Sequence, residues 1–79
     1  RSQEAKERFR HARNLYVDRQ FEDALAELDA LKNVYDAYPD LHYLRARCLG
    51  KLKRAHELRA VADLLTTRFN DPRDAEILT

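Results

Sequence analysis

The chain has no methionine, a single glycine, two prolines and a single cysteine among its 79 residues. Each scarcity excludes something. One cysteine, Cys48, rules out an internal disulfide framework. It fits the cytosol, and equally a periplasmic or secreted fragment, so the compartment is not legible here. One glycine and two prolines leave few places to turn, which favours long helices with short connections. No apolar run approaches the roughly 18 residues of a membrane span, and no signal-peptide pattern occurs. A chain that starts on Arg1 and holds no methionine reads as a segment of a longer protein. The formal net charge of +1 excludes a strongly basic nucleic-acid binder by bulk charge. At this length about 60% of the unfolded surface is buried on folding, so one small domain over 1–79 with a thin stability margin is expected.

What is present is an echo. Sliding the chain by about 34 residues lays Ala12-Arg13 on Ala46-Arg47 and Leu15 on Leu49. Ala26 then falls on Ala60, Leu31 on Leu65, Phe9 on Tyr43 and Tyr35 on Phe69. Arg19 meets Lys53 and Asp23 meets Glu57, so charge sign is kept as well as size. Two rounds of one supersecondary unit account for most of the chain.

Apolar spacing at three- and four-residue steps predicts four helices. The first runs from about Gln3 to Val17 on Ala5, Phe9, Ala12 and Tyr16, with Ser2 as an N-cap. The second runs from Phe21 to Tyr35 on Ala24, Leu25, Leu28 and Leu31, with Glu22 and Asp23 in its first turn. Pro39 marks the boundary. The third runs from Asp40 to Leu52 on Leu41, Leu44, Cys48 and Leu49, and the fourth from Arg54 to Phe69 on Leu58, Val61, Ala62 and Leu65. Asp71 and Pro72 can open a further helix, which reads as a partial or capping helix over 72–79. Short gaps force antiparallel neighbours, giving hairpins over 3–35 and 40–69. The fold class is all-α, and an α/β fold is excluded.

The segment Tyr16-Val-Asp-Arg-Gln-Phe21-Glu-Asp-Ala24-Leu25 resembles the turn of the tetratricopeptide repeat family, in which an aromatic residue precedes the second-helix alanine by three. In that alignment Ala12 and Ala46 are the small residues of the first helix, and Ala24 that of the second. The resemblance covers roughly residues 5–72. The chain departs from the family in four respects. Arg19 and Lys53 stand where the family has a turn glycine, and Leu58 replaces an alanine. Arg8 and His42 take a large apolar position, and the prolines are shifted. A plain helical bundle or another α-solenoid is the alternative architecture.

The resemblance implies that the first helix of each hairpin lines a concave face. Those helices are basic: Lys6, Arg8, Arg10 and Arg13 outweigh Glu4 and Glu7, and Arg45, Arg47, Lys51, Lys53 and Arg54 outweigh Asp40. The second helix carries Glu22, Asp23, Glu27 and Asp29 against Lys32, and reads as a solvated face. Carried over position by position, the groove residues are Lys6, Phe9, Arg13 and Tyr16, then Asp40, Tyr43, Arg47, Gly50 and Lys51. Arg13 and Arg47 are the expected electrostatic anchors, with Phe9, Tyr16 and Tyr43 as walls. The implied partner is an acidic or carboxylate-bearing peptide, held by a non-catalytic interaction module of a larger scaffold or assembly protein. An asparagine-based carboxylate clamp is not expected, because Arg13 and Arg47 occupy its place. Solvated arginines are the simpler account of the same charges, and Phe9 and Tyr16 could pack under a preceding repeat.

The alternative function is self-association through the end faces of a short stack, giving a homo-oligomer. RNA contact through the arginines and aromatics is a weaker third reading that the low net charge opposes. His11, His42 and His56 have no metal-site spacing, and Cys48 lies on an apolar row without an identifiable base. There is no glycine-rich phosphate loop. No catalytic residue, metal or cofactor is expected.

Overall fold

The computed structural model describes residues 2–78, and side chains for all of these except residues 2, 74 and 78. Five helices follow one another: α1 (Ser2–Val17), α2 (Phe21–Lys32), α3 (Pro39–Lys51), α4 (Ala55–Thr67) and α5 (Arg73–Leu78). Among the described residues there is no strand, so the chain is all-α.

Several ends differ from the sequence expectation, each for a local reason. Ser2 is already helical and so is not the residue before α1. α2 stops at Lys32, where Asn33 and Val34, both weak helix formers, follow. Tyr35 and Phe69 lie beyond their helices yet still pack on the core from the connecting turns. Pro39 is the first residue of α3, where its missing N–H and fixed φ suit the first turn. Asp71 Oδ1 accepts a hydrogen bond from the Arg73 N–H at 3.0 Å, which opens α5 as an N-cap. Residue 79, at the end of the expected last helix, lies outside the described residues.

The turns after α1 and α3 are built alike. Arg19 and Lys53 have φ of 66° and 61°, in the left-handed region. Their neighbours close back on the helix: Gln20 N–H donates to Leu15 O at 2.8 Å, and Arg54 N–H to Leu49 O at 3.0 Å. This six-to-one wrap is the Schellman ending that glycine normally supplies. Asn70 repeats the left-handed step after α4, with φ of 50°.

Contacts fix the directions of the helices. Tyr16 meets Phe21 at the first turn and His11 lies 3.3 Å from Glu27, so α1 and α2 are antiparallel. Arg45 pairs with Asp29 at 2.8 Å and Arg54 with Glu22 at 3.0 Å, which sets α3 antiparallel to α2. Gly50 faces Leu58 near the second turn while the His42 and Phe69 rings meet at the far end, so α4 runs back along α3. Asp40 reaches Arg73 and Tyr43 reaches Glu76, so α5 runs parallel to α3. Two reversals likewise make α1 parallel to α3, and Arg47 touches Tyr16 between them.

One apolar cluster runs through the molecule, from Ala12, Ala24, Leu25, Leu28 and Leu31 to Leu41, Leu44, Leu49, Val61 and Leu65. Burying each leucine contributes about 1.5–3 kcal/mol against chain entropy. Cys48 is fully buried in it, and burial pushes its thiol up to about 11. The overall extents of 30 × 25 × 17 Å leave the shortest axis about two helices thick.

The corners of the two hairpins are filled in opposite ways. In the first, the Tyr16 and Phe21 rings meet edge to face at 5.4 Å beside the fully buried Ala24. In the second, the corresponding places hold Gly50 and Ala55, and Leu58 replaces the alanine. A Cβ added at Gly50 would sit 4.0 Å from Leu58 Cδ2, an ordinary contact, so the leucine covers the space the rings take in the first hairpin.

Candidate functional site

The acidic residues of α2 are not a simple solvated face, contrary to the sequence expectation. Asp29 holds Arg45, whose side chain is only 12% exposed, Glu22 holds Arg54, and Glu27 lies against His11. Part of the basic excess on α3 and in the turn after it is therefore matched within the chain. Arginine serves this well because its planar fork keeps its charge and satisfies carboxylates with little reorganisation.

α1 keeps its cations unmatched. Lys6, Arg10 and Arg13 are exposed and, among the described residues, have no ion-pair partner. They edge a cleft of about 370 Å³ between α1, the end of α2, the connecting turn and the start of α3. Phe9, Leu31 and Leu41 line it, and the Tyr35 and Tyr38 rings, 6.1 Å apart, complete its lining from the turn. Tyr38 is 56% exposed, one of the few large apolar side chains left open to solvent. Asp40 is the one acid among the described lining residues, and Arg73 Nη2 already holds it at 2.8 Å. The cleft is thus apolar in its lining and cationic along one edge, and its volume lies in the lower range of ligand sites.

A second cluster forms where α3 meets α5. The Tyr43 ring lies under two guanidinium groups, with Arg73 at 4.6 Å and Arg47 at 5.8 Å from its centre. Its hydroxyl donates to Glu76, and that hydrogen bond and burial push its pKa up. Arg47 Nε donates to the Tyr16 hydroxyl at 3.4 Å. Arg73 is clamped by Asp71 at 2.7 Å as well as by Asp40, and it holds the Asp71 carboxyl below its usual range.

Of the residues singled out from sequence, Lys6, Phe9 and Arg13 come together in the cleft, with Asp40 at its rim. Tyr16, Tyr43 and Arg47 belong to the second cluster. Lys51 is exposed at the end of α3 and lines neither, and Gly50 serves the hairpin corner. Arg13 and Arg47, equivalent in sequence, therefore have different surroundings. Sequence reasoning missed Arg10, Tyr35 and Tyr38. Arg10 was detectable as the residue one turn from Lys6. Tyr38 precedes Pro39 and lies on no helix stripe, so apolar spacing gives no signal for it.

His42 is buried on α3. Asp36 O only accepts, so His42 Nε2 carries the hydrogen and donates to it at 2.7 Å. Nδ1 has no hydrogen-bond partner among the described residues, and burial pushes the imidazole pKa down. Among the described residues, no three His, Cys, Asp or Glu side chains gather as metal ligands would. Among the described residues, no helix is long and apolar enough to cross a membrane.

Comparison with family models, with curated proteins and with solved structures finds no match to this chain.

Proposed function

We propose that the chain is a TPR-like helical repeat module, a non-catalytic part of a larger scaffold or assembly protein. Its partner is an acidic or carboxylate-bearing peptide segment, taken along α1 and the start of α3. The parallel run of α1, α3 and α5 supports the architecture, as do contacts that bridge one repeat: Arg47 to Tyr16, Arg54 to Glu22 and Tyr43 to Glu76. The left-handed turns at Arg19 and Lys53, where the repeat family has glycine, support it too.

The observation that carries the function is the uneven charge matching. Arg45 and Arg54 are held by α2 carboxylates, whereas Lys6, Arg10 and Arg13 border an aromatic cleft unmatched among the described residues. Arginine beside aromatic rings combines fixed hydrogen-bonding geometry with apolar area, as binding hot spots do.

Titration of a fluorescein-labelled aspartate-rich peptide tests the reading. Arg13→Glu should weaken binding about tenfold, and raising salt should weaken it further. Arg59→Glu, an exposed reversal on α4, should leave affinity unchanged. Equal affinity of the Arg13 and Arg59 variants would remove α1 from the site. Sedimentation across concentration checks the self-association alternative. A dimer that peptide dissociates would make the cleft an interface between copies.

A further inference from the structure

The internal repeat offers a filled counterpart to the open cleft. A slide of about 34 residues carries Lys6 onto Asp40 and Phe9 onto Tyr43. At the second position the aromatic ring is covered by the Arg73 guanidinium at 4.6 Å, and Asp40 holds that cation at 2.8 Å. Ring plus acid has taken a cation. At the first position the acid is replaced by Lys6, and Phe9 meets no other ring or cation among the described residues. The complement of ring plus cation is an apolar side chain next to a carboxylate.

The spacing of the cations adds an order to that chemistry. Lys6 and Arg10 are one turn apart, about 6 Å along α1. In an extended chain, alternate side chains share one side and lie about 7 Å apart, while the side chain between them points the opposite way. Two acids in alternate positions therefore match Lys6 and Arg10. The residue between them is directed at the opposite wall of the cleft, which is Tyr35, Tyr38 and Leu41.

We propose that the cleft recognises a short extended segment of another protein reading acid–apolar–acid, its carboxylates on Lys6 and Arg10 and its apolar side chain directed across the cleft, past Phe9, onto the Tyr35–Tyr38 wall. This rests on the reading of the chain as an acidic-peptide module. Arg13 takes a further acid or the chain terminus beyond the second carboxylate.

Polarisation titrations with labelled peptides test it. The probe is Gly-Ser-Asp-Phe-Asp-Ser-Gly. It is compared with the permuted Gly-Ser-Asp-Asp-Phe-Ser-Gly, the truncated Gly-Ser-Asp-Ala-Asp-Ser-Gly and a version with lysine for both aspartates. Permutation and truncation should each weaken binding about tenfold. Tyr38→Ala should weaken the phenylalanine probe and leave the alanine peptide unchanged. Equal affinity for the three acidic peptides overturns the ordered motif while the acidic-peptide reading stands. An acidic probe bound no better than its lysine version overturns both. Circular dichroism of Tyr38→Ala separates loss of the wall from loss of the fold.

Discussion

Arg19 and Lys53 are exposed residues held in the left-handed backbone region, at φ of 66° and 61°. A Cβ makes that conformation cost about 1 kcal/mol or more, and glycine removes the clash while loosening the unfolded chain. Arg19→Gly and Lys53→Gly should each raise stability by about 0.5–1 kcal/mol in urea titration. The absent turn glycine was legible in the sequence. That the turn keeps a glycine geometry without glycine was not, because composition does not show a dihedral angle. His42 carries a pH dependence. Burial first, then Arg45 and Arg68, hold its pKa below the ordinary 6.5, against a hydrogen bond to Asp36 and the Asp36 charge that favour the cation. The unfolded chain thus binds a proton that the folded chain resists. Its contribution is fully present above about pH 6.5 and is lost as pH falls from there toward the depressed value. His42→Leu should flatten the fall of the melting temperature between neutral pH and pH 5, read by circular dichroism.

Among the elements, α5 is the least self-sufficient. Six residues are far below the length at which a helix is stable alone, so its order comes from its contacts. Those are the Asp71 cap, the Arg73 clamp on Asp40 and Tyr43, and Ile77 against the core. Asp71→Ala removes the cap and half of the clamp. It should loosen α5 locally, seen as faster amide exchange over 73–77 with α1–α4 unaffected. The four longer helices were legible because their apolar residues recur at helical spacing, but their ends were less so. Tyr35 and Phe69 continue the stripes of α2 and α4 in register, yet they reach the core from turns. A periodic pattern records that a ring faces inward, not whether the backbone beneath it is still helical. The charges divide in the same way. Their signs were readable, but nothing in the sequence distinguishes Arg45, which is held by Asp29, from Arg13, which has no such partner among the described residues.

At the scale of the whole molecule, a single cluster joins the hairpins, so damage to one should be felt in the other. Leu28→Ala, in α2, should cost about 2–5 kcal/mol. The buried Cys48 thiol, pushed up to about 11 by burial, gives the readout on α3. Its labelling by a thiol reagent should accelerate in the Leu28 variant if the hairpins open together. It should keep its rate if they open separately. Lys6, Phe9 and Arg13 were legible as neighbours at this scale because helical spacing places them on one helix face. The remainder was not, since Tyr38 joins the cleft only through the path of the α2–α3 turn. Repetition also creates a hazard: two similar hairpins offer each helix a wrong partner of the right length. The oppositely filled corners work against that error. With α1 in the place of α3 beside α4, Tyr16 would fall against Leu58 and crowd the corner, whereas with α3 in the place of α1 at the first corner, Gly50 would fall against Ala24 and leave it hollow. Each misassembled pair is penalised for the opposite steric reason, so the mismatch in side-chain size acts as a key for pairing fidelity during folding, and in any exchange of hairpins between chains.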